Sequence, residues 1–299
     1  MVNILPITIN IGNDIDIVKT YKKLPPKSSS ISGGNIQDFN DVLSNMVAVF
    51  PELTKEKVYI TLSAGCGLSY KTFPTAIDSL LVNGSKTSRS EQRNALKDIC
   101  LEHIARDKAS DYAVSIFGSY MTDSDYILSY AFIESAIIDS IKKAAEENGI
   151  SLMDIQPRIY AVRNALNLDS FNQIVINMPD EIALINNISI IGWEKNMAAS
   201  FSDDKSLDAI ASSWLTRQSQ KFYGIDAELS DTKYIDIDEI YPYLSESLQN
   251  IDINFKNGLS ASVVAAYGVQ GVQEKQGGGM KDVADKIRDI LNRAGKQSS

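Results

Sequence analysis

Asn10-Ile11-Gly12 ends the alternating run PITINI, a turn follows at Asn13-Asp14, and alternation resumes through Ile15, Ile17 and Tyr21. The pattern predicts a β-hairpin at the start of the chain, with Asn10, Gly12 and Asp14 around its tip. A glycine there lets the backbone approach a phosphate, and an acid two residues earlier would organise Mg²⁺ and its water. Asn10, Gly12 and Asp14 are therefore the candidate cofactor-binding residues, for a phosphate. Asparagine alters that chemistry, because an amide is a neutral ligand and cannot act as a general base. A second hairpin is predicted from strands at 174–177 and 181–186, and its tip reads Asn177-Met178-Pro179. It offers neither acid nor glycine, and Pro179 has no amide hydrogen to donate. Asp14 and Asp180 stand one turn away, a displacement of ångströms where metal sites tolerate fractions of one.

Other chemistries find less. Gly65-Cys66-Gly67 lies between two strands instead of opening a helix, and Tyr70 stands where a third glycine would be, so it reads as a tight turn and not a dinucleotide loop. The sole histidine, His103, follows Glu102 on a predicted helix and reads as a helix-surface residue, with Cys100 in the core. No nucleophile and base can be paired, so no catalytic residue is assigned and the chain is expected not to be an enzyme. Asp231, Asp236, Asp238 and Glu239, and likewise Asp123 and Asp125, lack calcium-loop spacing and read as turns and helix caps, so no metal site is expected. Tyr241-Pro242-Tyr243 is an aromatic cluster that would favour a partner surface if exposed, which makes Tyr241 and Tyr243 candidate partner-binding residues.

The elements that must position these residues follow an α/β grammar. After the hairpin comes a Pro/Ser/Gly loop, LPPKSSSISGGN, then a helix carrying Phe39, Val42, Leu43, Met46 and Val47. Residues 58–63 and 68–74 read as a strand pair around AGCG. A helix spans about 90–106, a second strand pair covers 112–121 and 126–132, and a long helix over 133–148 stops at Gly149. A strand at 150–155 leads to Pro157, placed at the first position of a short helix to Leu166. The second half repeats the opening: strands at 174–177, 181–186 and 188–193, then helices at 207–223, 237–249 and 260–267. Two similar units imply a pseudo-duplicated α/β fold.

The bulk numbers agree with a globular body. The 299 residues are 44% hydrophobic and 22% charged, enough for a sizeable core and two subdomains. A formal net charge of −9 without a basic run disfavours nucleic acid. The longest apolar stretches fall short of a spanning helix, no signal peptide is read, and two cysteines make no disulfide framework, so the expected setting is cytoplasmic.

In the order of its segments the chain resembles the actin-like PilM family of type IV pilus assembly proteins, and the related cytoplasmic domain of the GspL family of type II secretion. The resemblance is carried by INIGNDIDIVKTYK, by VYITLSAGCGLSYKTFP, by SYAFIESAIIDSIKKAAEENGISLMDIQPRIYAVRNAL and by FNQIVINMPDEIALINN. It spans roughly residues 3 to 270. It implies an actin-like, ribonuclease H-like fold with a first subdomain over 1–168, holding an inserted small subdomain at about 36–132, and a second over 169–273. It also implies a non-catalytic scaffold of an inner-membrane assembly platform, docking a short N-terminal segment of the assembly ATPase or of a PilN-like protein and reaching the membrane through partners. The alternative that the resemblance implies is an ATP-binding actin-like protein whose nucleotide state regulates pilus assembly, with Asn10, Gly12 and Asp14 around the phosphates of ATP with magnesium and Lys19 near them. A sugar- or acetate-kinase-like phosphotransferase would need an acid in the first hairpin.

The last residues do not follow that body. Gly277-Gly278-Gly279 lies in a flexible linker, 274–279, and Met280 then opens an amphipathic helix. Val283, Ile287, Ile290 and Leu291 share one face, the candidate partner-binding face of a helix that wants a groove. Residues 280–299 carry five Lys/Arg against three Asp/Glu, net +2, which leaves −11 for everything before them. Opposite charge favours encounter, so the tail reads as a fused N-terminal segment of a binding partner, held at high effective concentration; the other reading is a natural C-terminal helix or a disordered end.

Overall fold

The computed structural model describes residues 4–12, 14–21, 26–31, 39–76, 89–104, 111–121, 125–167, 173–186, 190–195, 232–249 and 260–275. Three β-sheets organise them. The first contains β1 (Ile4–Ile11), β2 (Ile15–Tyr21), β3 (Lys27–Ile31), β4 (Lys57–Leu62) and β8 (Ser151–Pro157), in the order β3-β2-β1-β4-β8. The first three strands are antiparallel, and β1, β4 and β8 run parallel. The second contains β9 (Gln173–Asn177), β10 (Glu181–Asn186), β11 (Ile190–Lys195) and β12 (Thr232–Asp236), in the order β11-β10-β9-β12. It repeats the scheme: an antiparallel meander, with β12 parallel to its first strand. The same strand order with the same pattern of directions, found twice, is the pseudo-duplication expected from the sequence.

Helix α1 (Phe39–Val49) packs on α3 (Ser135–Glu147) over the first sheet, and α4 (Arg158–Ala165) crosses the C-terminal α5 (Ser260–Lys275). Their approach is so close that a Cβ on Gly268 would lie 1.6 Å from the Ala161 carbonyl oxygen, so only glycine fits. The third sheet, β5 (Ser69–Ala76), β7 (Asp125–Glu134) and β6 (Tyr112–Met121), is covered by α2 (Arg89–Ile104). There Cys100, Leu128 and Tyr130 form a small core, and Phe73 stacks on His103 at 3.9 Å.

Alternation along β1 predicts one buried and one wet face, yet both are buried. Ile7, Ile9 and Ile11 are inaccessible, and so are Thr8 and Asn10, because α5 covers the polar side. Gly149 ends the long helix at φ 67°, as expected.

Several elements differ from the sequence reading. Lys27–Ile31, read as loop, pairs with β2 as an edge strand held by main-chain bonds. Strands β4 and β5 do not pair with each other: after a turn of 3₁₀-helix at Ala64–Cys66, Gly67 at φ 90° redirects the chain into the third sheet. Pro157 caps its helix instead of starting it. Residues 237–249 form two 3₁₀ turns, Ile237–Glu239 and Tyr241–Tyr243, and one α turn, Glu246–Gln249. The expected final helix continues past Tyr267 to Lys275. The helix expected at 207–223 lies outside the described residues.

Candidate functional site

The tips of the two predicted phosphate hairpins meet each other. In the first, β1 continues its parallel pairing past Leu62, with the Ser63 amide donating to the Ile11 carbonyl, and Gly12 donates to Asp14 across the turn. In the second, Met178 and Glu181 exchange both main-chain hydrogen bonds, at 3.0 and 3.3 Å, around a two-residue Pro179-Asp180 tip. Proline at the first of these central positions has its φ preset and needs no donor. That turn aims Asp180 at Gly12.

Asp180 Oδ2 accepts from Ser63 Oγ at 2.5 Å and lies 3.1 Å from Arg158 Nη1. Arg158 and Asp180 are 4% and 3% exposed, so this is a buried ion pair. A Cβ placed on Gly12 would sit 2.2 Å from Asp180 Oδ2, 2.4 Å from Arg158 Nη2 and 2.5 Å from Ser63 Oγ. The backbone cradle at Gly12 is thus filled by the protein's own guanidinium and carboxylate.

A second carboxylate completes the cluster. Glu181 Oε2 accepts from the Ala64 amide at 3.2 Å and from Trp193 Nε1 at 3.1 Å, joining the end of β4 to β11. Burial pushes the Glu181 carboxyl up to about 7, against the pull of Arg158. Tyr70 packs beside Trp193 with ring centroids 5.0 Å apart, and Ser129 Oγ donates to the Ile190 carbonyl at 2.6 Å, so the third sheet closes the same junction. Burial also pushes Cys66 up to about 11, which leaves it a thiol and no nucleophile at neutral pH.

The two asparagines at the hairpins behave alike. Asn10 is fully buried; its Oδ1 accepts from Thr61 Oγ1, directly opposite on β4, and its Nδ2 donates to the Ser262 carbonyl of α5 at 3.4 Å. Asn177 Nδ2 donates to Asp236 Oδ2 at 3.1 Å, directly opposite on β12. Each amide ties the first strand of its sheet to the parallel neighbour and turns away from the hairpin tip. Next to Asn10, Asp16 accepts from Ser262 Oγ at 2.5 Å.

Asn10, Gly12 and Asp14 therefore share a hairpin without converging: Asn10 is under α5, Gly12 is packed against Asp180, and Asp14 is exposed. Lys19 sits well along β2 from the tip and pairs with Glu56 at 2.8 Å, not with the phosphate cradle. Asp236 caps the 3₁₀ turn through the Asp238 amide at 3.0 Å, the structural role expected of it. Among the described residues no cluster of three or more His, Cys, Asp or Glu could hold a metal. Tyr241 is 38% exposed and its hydroxyl donates to the Gln249 carbonyl, whereas Tyr243 is half-buried against the main core. Val283, Ile287, Ile290 and Leu291 lie outside the described residues.

Arg158, Glu181 and Ser63 were not singled out from the sequence, and Asp180 was weighed there only as a displaced metal ligand. One signal was available: an arginine opening the helix RIYAVRNA is unfavourable at the positive end of its dipole, so it required a tertiary acid. Two consecutive acids ahead of the buried strand IALIN are the complementary sign.

No protein-family model matches the sequence, and no curated protein does. Among solved structures the chain is similar to a PilM–PilN type IV pilus biogenesis complex, at 10% identity and a TM-score of 0.50, over 89% of this chain and 98% of that one. It is also similar to the cytoplasmic domain of EpsL, an inner-membrane component of the type II secretion system of Vibrio cholerae, at 11% identity, TM-score 0.48, over 90% and 94%. A protein of actin-like ATPase fold from Bacteroides thetaiotaomicron matches at 9% identity, TM-score 0.41, over 82% and 94%. The resemblance read from the sequence holds at the level of the fold: with its strand order present twice, the chain has the actin-like architecture of PilM.

Proposed function

We propose that this protein is a non-catalytic scaffold of an inner-membrane assembly platform of the type IV pilus or type II secretion kind. The observation that carries this reading is the filled cradle at Gly12, where Arg158 and Asp180 occupy the approach that a nucleotide's phosphates require. Asn10 supplies no charge there, and Pro179 supplies no amide. The residues do not fit ATP with magnesium, and no catalytic step is assigned.

What remains is an α/β body whose fold, in the PilM–PilN complex, belongs to a protein with a partner. By that likeness the partner here is a PilN-like protein; the sequence reading adds that the docked part is a short N-terminal segment, of that protein or of the assembly ATPase. Residues 280–299 are the candidate tethered copy of such a segment, and their net charge of +2 complements a body at −11. In this reading the protein works in the cytoplasm and meets the membrane through partners; among the described residues no helix is long and apolar enough to cross one.

Two titrations test the proposal. The intact chain should give no binding heat with Mg-ATP. After protease cleavage at Gly277-Gly278-Gly279 and removal of the released fragment, the body should rebind a synthetic 280–299 peptide. Micromolar Mg-ATP binding without peptide rebinding would overturn the scaffold reading and restore the nucleotide-regulated alternative.

A further inference from the structure

Glu181 sits where all three sheets converge, and every element around it contributes a polar or titratable group. The turn after β4 brings the Ala64 amide and Cys66, β5 brings Tyr70, and β11 brings Trp193; α4 brings Arg158, and the hairpin tip brings Asp180. The carboxyl is fully buried, and among the described residues its Oε1 meets no donor, while Arg158 Nε meets no acceptor. A buried acceptor and a buried donor are thus both unused beside the ion pair of Arg158 Nη1 with the other acid.

We propose that Glu181 is a proton-operated latch on the seam between the two hairpins. With the carboxyl protonated, Arg158 stays on Asp180, and Oε2 pins Ala64 to Trp193. On ionisation, the carboxylate draws the Arg158 guanidinium through its free Nε–H, weakens the pair with Asp180 and loosens the packing at Gly12. The proton is exchanged with solvent, and no other reactant is involved. This holds whether or not a partner segment docks.

The latch acts near neutrality. Glu181 ionises at about 7 in the folded protein, whereas an unfolded glutamate does so near ~4.3. The stability contributed by the neutral form is therefore complete below the lower value and is lost as pH rises through the upper one. Neither Cys66 nor Tyr70 interferes in that range: burial holds Cys66 up at about 11 and Tyr70 well above its usual value. His103 lies on α2 against the third sheet, lowered from its usual value by burial, and is a further group to control for.

The test uses the full chain carrying Trp214→Phe, which leaves Trp193 as the single indole of two. Trp193 fluorescence should show one transition between pH 5 and 9, centred at about 7. Glu181→Gln should abolish it, and His103→Gln should leave it in place. Exchange of the Ala64 amide, corrected for base catalysis, should rise more than tenfold across the same transition. Asp180→Asn supplies a test if the glutamine variant does not fold: it removes the like charge that raises Glu181, so the midpoint must fall. A transition that survives in Glu181→Gln, a midpoint unmoved by Asp180→Asn, or Ala64 exchange that stays flat while Trp193 titrates would each overturn the latch.

Discussion

Replacing Arg158 by methionine removes one half of a buried ion pair and leaves the other half in place. Asp180 would keep the Ser63 hydroxyl at 2.5 Å but lose the only cation within ion-pair distance among the described residues. Both side chains are at most 5% exposed, so water cannot take the place of the lost partner without opening the seam. Breaking such a pair from one side costs about 3–5 kcal/mol, whereas replacing both members with apolar groups of similar volume is near neutral. Arg158→Met and Asp180→Leu should each destabilise by about 3 kcal/mol or more, and the double variant by about 1 kcal/mol. With an m-value of about 2 kcal/mol/M, the single variants should lose about 1.5 M in urea midpoint. The measurement is urea unfolding followed by far-UV circular dichroism at pH 6, where Glu181 remains largely neutral in the parent. Arg158→Met raises the Glu181 value further, so that condition holds in the variant as well. Losses below about 1 kcal/mol for the single variants, or a double variant as weak as their sum, would mean that the cluster is hydrated and the cradle at Gly12 open.

Two further substitutions probe the hairpin and the helix crossing. Asn10→Asp should gain no magnesium-dependent ATP affinity and should lose about 2 kcal/mol at neutral pH, because a carboxylate cannot donate to the Ser262 carbonyl. Lowering the pH should restore part of that loss, since the protonated acid can donate again; denaturation at pH 4.5 and 7.5, beside calorimetry with Mg-ATP, checks both claims. Gly268→Ala should destabilise by about 3 kcal/mol, because the added methyl meets the Ala161 carbonyl at 1.6 Å and α4 must move. A thermal melt within two degrees of the parent would refute that crossing.

What could be read from the sequence was local. Alternation in β1 and β2, Gly149 as a helix stop and the repeated strand grammar depend on near neighbours, and these appear in the structure. Strand β3 was missed because KSSSI has one apolar residue in five; an edge strand is held by main-chain bonds that leave no hydrophobic signature. Strands β4 and β5 seemed a pair because they are adjacent in sequence, but a left-handed Gly67 sends them into different sheets. The cluster itself joins Ser63, Arg158 and Asp180, as far as 117 positions apart. No spacing rule connects residues at that distance, although the arginine at the wrong end of a helix dipole marked half of it.

The two asparagines bear on how reversible this chemistry is. In each half of the molecule the amide opposite the parallel strand is a fastener, to Thr61 in one sheet and to Asp236 in the other. A sequence drifting one residue at a time toward an acidic hairpin keeps the Thr61 bond in the first half but sets a carboxylate against the Ser262 carbonyl oxygen of α5, and in the second half it breaks the fastener and sets one carboxylate against another, Asp236. It gains nothing in return while Asp180 and Arg158 fill the cradle. The nearest acidic, open variant lies several substitutions away, and the first steps lead downhill in stability, so the internal bonding of this protein acts as a ratchet against an acidic, open hairpin.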